Sequence, residues 1–156
     1  MASLSDFEEK FVKSTKLSYL CIMKVGQISH DKAADYILGG KSYVTFQNPQ
    51  TGNRFTYKVV KHKVDDIYFV HVLTNTDVYM FLGTIKNFVF RYSPKSKIAK
   101  DAKSLIVFDY VFHHLGMGTL NNTIEIFHDG RCGKCGRQLT DPISVETGLG
   151  PYCRKK

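Results

Sequence analysis

No tryptophan occurs in these 156 residues, and no apolar run approaches the roughly 18 residues a membrane-spanning helix needs. The opening residues, MASLSDFEEKF, lack a basic segment followed by a smooth apolar stretch, so no signal peptide is expected. These absences together predict a soluble cytoplasmic chain with no membrane partner. No Gly-rich phosphate loop, nucleophile elbow or paired-carboxylate pattern is present, so the chain is not expected to be an enzyme. Acidic residues are in the minority, 14 Asp and Glu against 22 Lys and Arg, which leaves a formal net charge of +8. A surface of that sign attracts polyanions, and nucleic acid is the commonest polyanion in a cell. Cysteine is also scarce. Of four cysteines, Cys21 stands alone in an apolar stretch and the other three crowd the last 25 residues.

What is abundant is aromatic and β-branched sequence, with 11 Phe and 9 Tyr. Ser5 and Glu8 form a capping-box pattern, and Phe7 and Phe11 share a face, so residues 5–14 are expected to form a short amphipathic helix. Residues 17–28 alternate like a strand, yet Leu20 and Ile22 fill the gaps, so a buried strand and a helix both fit. Ser29 can cap a helix through Ala33, Ala34, Ile37 and Leu38 that ends at Gly39 and Gly40. The period then changes to two. Residues 42–47 and 54–62 read as a hairpin around the turn-forming run 48–53, and residues 67–73 as a third strand. Residues 78–92 read as one long bent strand or two short ones, with Gly83 at the bend. Ser104 can cap an apolar helix from Leu105 to Leu115. Its face is Leu105, Phe108, Phe112 and Leu115, widened by Ile106 and Val107. A last strand, 123–127, leads into the cysteines. The expected fold is therefore α+β: an antiparallel sheet, short N-terminal helices, one packing helix and a small C-terminal zinc module. The expected division is a body at 1–122 and a module at 123–156.

The tail carries the sharpest signal. Cys132 and Cys135 are separated by two residues, with Gly133 and Gly136 relieving the turn, and Cys153 follows the turn Gly148-Leu-Gly-Pro. Clustered thiols in a reducing compartment point to a metal rather than a disulfide. Zinc takes four ligands in a tetrahedron, so one more is needed. His128, at a strand end four residues before Cys132, is the favoured fourth ligand, while His113, His114 and Cys21 compete. A site filled by four protein ligands is structural, and the metal supplies folding energy to a tail with too little core of its own.

The run Gly130-Arg-Cys-Gly-Lys-Cys-Gly-Arg-Gln-Leu-Thr-Asp-Pro-Ile-Ser144, followed by Gly148-Leu-Gly-Pro-Tyr-Cys153, resembles a short zinc-binding tail of uncharacterised bacteriophage and bacterial proteins. That pattern reads CxxC-Gly-Arg, Leu-Thr-x-Pro-x-Ser and Gly-x-Gly-Pro-x-Cys, often with an upstream His, and every element occurs here. The resemblance implies a bound zinc ion and a phage-like origin, hence residence in a host cytoplasm. It implies no reaction.

Two basic groups remain. One comprises Lys86, Arg91, Lys95, Lys97, Lys100 and Lys103; the other comprises Arg131, Lys134, Arg137, Arg154, Lys155 and Lys156 around the cysteines. Arg54 and Lys58 share a strand face with Thr56 and extend the surface. Basic residues beside a zinc knuckle suit phosphate contact, and exposed aromatics between cations suit base stacking. Against this, a lysine-rich loop is commonly no more than a solvated surface, and Arg137 could simply pin the turn. His71 reads as a satisfied core histidine. The leading expectation is a small non-catalytic nucleic-acid-binding protein. The competing one is a phage factor that docks on a host protein.

Overall fold

The computed structural model describes residues 26–140 and 142–154. The expected helix at 5–14, most of the ambiguous stretch at 17–28, and Cys21 lie outside them. Along the described chain run β1 (Gln27–Ile28), α1 (His30–Ile37), β2 (Lys41–Asn48), β3 (Asn53–Lys61), β4 (Ile67–Leu73), β5 (Tyr79–Lys86), β6 (Val89–Tyr92), α2 (Lys103–Met117), β7 (Glu125–His128), α3 (Pro142–Thr147) and α4 (Pro151–Arg154). The fold is α+β, as its two sequence periods require.

The seven strands form one antiparallel sheet in the order β1-β7-β2-β3-β4-β5-β6. From β2 to β6 this is a plain meander of hairpins, the arrangement that period-two sequence with short turns favours. The exception is β7. It returns from the far end of the chain and inserts between β1 and β2, pairing Val44 with His128 and Phe46 with Ile126. The segment leading into the cysteines is therefore a strand of the body's own sheet.

Alternation along each strand sends Val44 and Phe46, Tyr57 and Val59, Val70 and Val72, and Ile126 to one face, where they are buried. α1 and α2 cover that face through Ala33, Tyr36 and Ile37 and through Leu105, Phe108, Val111 and Phe112. Phe108 is the hub, with ring centroids 4.8 Å from Tyr57, 4.8 Å from Phe90 and 5.7 Å from Phe46. Ile106, expected to widen the buried stripe, instead points outward and is 55% exposed. A helix of this diameter can press only about a 100° arc on a sheet.

Three local expectations change. α2 starts one residue before Ser104, with Ala102 as its cap and no side-chain cap bond, and the backbone carbonyl of Ser104 instead accepts the Tyr57 hydroxyl at 2.5 Å. Ser29 occupies the cap position of α1, but its hydroxyl is buried without a hydrogen-bond partner. Residues 78–92 are two strands, and the reversal between them falls at Asn87 and Phe88, with φ of 54° and 64°. Gly83 sits instead beside the slip in register between Val70 and His71, where a Cβ would collide with the Arg91 carbonyl and the Phe90 ring.

Candidate metal centre

β7 ends at His128, and the chain turns back at once. A Cys132 N–H bond to the Arg137 carbonyl (2.8 Å), a Gly136 N–H bond to the Cys132 carbonyl (2.9 Å) and a Leu139 N–H bond to the Gly130 carbonyl (2.9 Å) close residues 130–139 into a tight knuckle. Gly136, at φ 78°, makes the reversal that a side chain would strain. α3 then leads to Gly148, whose carbonyl accepts the Gly133 N–H at 2.9 Å. α4 swings Cys153 over the knuckle.

The result is a triad. The Sγ atoms of Cys132, Cys135 and Cys153 all lie within 4.8 Å of one another. Sulfurs about 2.3 Å from a tetrahedral ion stand about 3.8 Å apart, so the spacing suits a metal. The Lys134 and Gly150 N–H groups point at Cys132 Sγ from 3.4 and 3.3 Å, the arrangement that stabilises a thiolate ligand. Burial opposes ionisation of Cys132. The N–H groups of Gly150, Cys135 and Lys134 and a hydrogen bond from Cys153 outweigh it and bring its thiol down to about 7. Cys153 is pushed the other way, to about 11, by burial and by its two sulfur neighbours. The N–H groups around Cys132 thus favour its thiolate, and burial and crowding disfavour that of Cys153. A cation would relieve the crowding that holds the proton on Cys153.

His128 is not in the triad. Its Nε2 donates to the Val145 carbonyl at 2.5 Å and its Nδ1 accepts the Gly130 N–H at 2.8 Å. Both nitrogens here meet backbone groups rather than the three sulfurs. The ring instead straps α3 to the end of β7. Nor do His113 and His114 join the triad; His114 bonds Thr119 Oγ1 at 2.6 Å beyond the end of α2. Among the described residues no fourth His, Cys, Asp or Glu ligand atom completes the group.

What seats the knuckle on the body is a residue that sequence reasoning missed. Tyr36, from α1, is wholly buried. Its hydroxyl donates to the Tyr43 carbonyl at 2.8 Å and accepts the Tyr43 N–H at 3.2 Å. The flat of its ring lies where a Cβ on Gly133 or Gly148 would be, 2.6 Å from Cδ2 in each case. Only glycine lets two backbone segments close on one aromatic ring. Gly39 makes a matching approach to the Gly133 carbonyl, which also accepts the Lys41 N–H at 2.7 Å. Gly39, Gly133 and Gly148 each had a local reading as a helix end or a turn, which hid their shared closeness to one another and to the Tyr36 ring.

The basic residues separate into three places. Arg54 and Lys58 on β3, Lys86 on β5 and Arg91 on β6 all alternate onto the sheet face opposite the helices. Lys95, Lys97 and Lys100 are exposed in the loop between β6 and α2. Arg131, Lys134 and Arg137 are exposed on the knuckle, and Arg154 lies on α4. His71 is also on the face away from the helices, outside the core, and its Nδ1 has no hydrogen-bond partner; it is not the satisfied core histidine expected. Burial and the nearby Lys58 charge lower its pKa.

Fold and site together define a small α+β protein whose C-terminal end is gathered by three cysteines able to hold a metal ion. A family model described as a family of unknown function, DUF6011, matches residues 126–156, the strand and tail that build this centre. No curated protein and no solved structure matches the chain.

Proposed function

We propose that this chain is a zinc-stabilised, non-catalytic nucleic-acid-binding protein, phage-encoded and acting in the host cytoplasm. Thiolate ligands in a CxxC turn with a third downstream select zinc over hard cations. Zinc there closes the tail onto Tyr36 and the sheet and supplies folding energy. The phage origin rests on the tail motif alone.

One observation carries the nucleic-acid reading: the sheet face that no described helix covers is cationic and aromatic together. Lys58 Nζ stands 5.8 Å from the centre of the Tyr43 ring and the Arg54 guanidinium 5.5 Å from that of Phe127. Phe127 is buried and Tyr43 half-buried, so the pair at Tyr43 is the one that offers a cation and a ring surface together. A gel shift at low salt with DNA and RNA tests the reading. Binding that weakens steeply with added salt is expected; no shift with any nucleic acid refutes it.

Docking on a host protein is the second reading. It is favoured by exposed apolar side chains, Ile106 and Tyr110 on α2 and Phe88 at the β5–β6 turn. A partner retained from nuclease-treated host lysate would support it over the first.

A further inference from the structure

We infer that the ligand of the sheet face opposite the helices is a single-stranded nucleic acid, laid across β2 to β5 with bases stacked on Tyr43 and Phe81 and a phosphate on Lys58. This rests on the nucleic-acid reading above and narrows it.

The register supplies the argument. Tyr43 pairs with Lys58, Lys58 with His71, and His71 with Phe81, so these four form one row straight across four strands. Ring, cation, ring, ring is their order. The row crosses three inter-strand spacings on a sheet curved enough to bring the Tyr79 ring of β5 to 5.8 Å from the Tyr43 ring of β2. Half-exposed rings on an antiparallel sheet face are surfaces on which splayed bases stack. Tyr79 reaches from β5 over the concave row to Tyr43 on β2, with ring centroids 5.8 Å apart and the rings edge-on. Beside the row lie Phe69, 6.2 Å from Phe81, and Arg91, which faces Thr84. Each of these rings is half-buried, so it is held in place by its neighbours with a surface left to offer. None belongs to the core cluster, and no described helix packs on them.

Charge agrees. Among the described strand residues on this face, Lys41, Arg54, Lys58, Lys86 and Arg91 stand against one carboxylate, Glu125. A duplex would not exploit the surface. Its bases already stack on one another, and its major groove, about 12 Å wide, admits a helix or a two-stranded ribbon rather than a broad sheet. Half-exposed rings beside a cation gain most from bases free to leave their neighbours.

The test uses the full chain, zinc-loaded, and fluorescence anisotropy with labelled oligothymidine, oligouridine and a duplex of matched length. Single strands should bind more tightly than the duplex, and the two single-strand arms show whether a 2′-hydroxyl matters. Tyr43→Ala or Phe81→Ala should weaken single-strand binding about tenfold each. Lys58→Gln, a change at a half-buried lysine that leaves the core intact, should lower the salt slope by about 0.7. A melting curve for each variant verifies that it is folded. Equal or tighter duplex binding overturns the inference and leaves the broader reading standing. So does single-strand binding that all three variants leave unchanged. Failure to bind any of the three probes overturns the broader reading itself.

Discussion

Replacing Gly39 by alanine probes how the knuckle is fastened to the body. Gly39 follows α1, and its φ is not one that excludes alanine, so backbone strain does not enter. A Cβ there would lie 2.6 Å from the Gly133 carbonyl oxygen, 2.8 Å from its carbon and 3.2 Å from the Lys134 nitrogen. All three are backbone atoms of the knuckle and cannot swing aside as a side chain would. Relief requires moving the knuckle away from β2, which weakens the 2.7 Å bond from Lys41 N–H to the Gly133 carbonyl. Overpacking of this kind costs about 1–3 kcal/mol and one impaired hydrogen bond about 1 kcal/mol. A total near 3 kcal/mol corresponds to a fall in Tm of roughly 6–12 °C for a chain of this length. Gly116→Ala is the control: nothing lies within 4 Å of its Cβ position on α2, and alanine is the better helix former. Thermal melts of the zinc-loaded proteins decide the matter. A Gly39→Ala melt that coincides with the parent's would refute the claimed contact between α1 and the knuckle.

His128→Ala should leave metal stoichiometry unchanged, because both ring nitrogens meet backbone groups rather than the three sulfurs. It should nevertheless cost about 1 kcal/mol, since the part-buried Val145 carbonyl and Gly130 N–H lose their partner; elemental analysis beside a melt separates the two effects. The depressed Cys132 thiol gives stability that is present above the ordinary thiol value of 9 and lost as pH falls through about 7 in the metal-free protein. Bound metal moves that loss to lower pH, so a zinc-release titration should show affinity declining steadily on acidification. Burial raises Tyr36 and Tyr57 above the ordinary value of 10.0. Their contribution is full below that value and fades as pH rises beyond it, so an absorbance titration should show these two of the nine tyrosines ionising only on unfolding.

Local pattern made most of the sheet legible. The hairpin expected at 42–47 and 54–62 is found at Lys41–Asn48 and Asn53–Lys61, because its alternation and its turn chemistry agree. Two short strands were one of the two readings of 78–92, but the place of the reversal was hidden: Phe88 takes left-handed backbone beside Asn87, and a lone Asn without glycine marks a two-residue turn weakly. The insertion of β7 beside β2 was hidden for another reason. It joins residues some 80 apart, and period-two sequence records which face a strand buries, not which neighbour it chooses. At the metal centre, thiol spacing sufficed to bring three cysteines together, since the ligand chemistry is local. The role of His128 was not, because whether an imidazole meets an ion or a carbonyl is decided by where α3 lies. The same holds for the sheet face opposite the helices. Arg54 and Lys58 could be paired along one strand, but the row that joins them to Tyr43, His71 and Phe81 exists only in the register between strands.

Zinc K-edge X-ray absorption on the purified full chain addresses the centre most directly. The account predicts one zinc per chain with at least three sulfurs at about 2.3 Å. A protein that carries no stoichiometric metal, or a metal surrounded chiefly by nitrogen and oxygen, would contradict it.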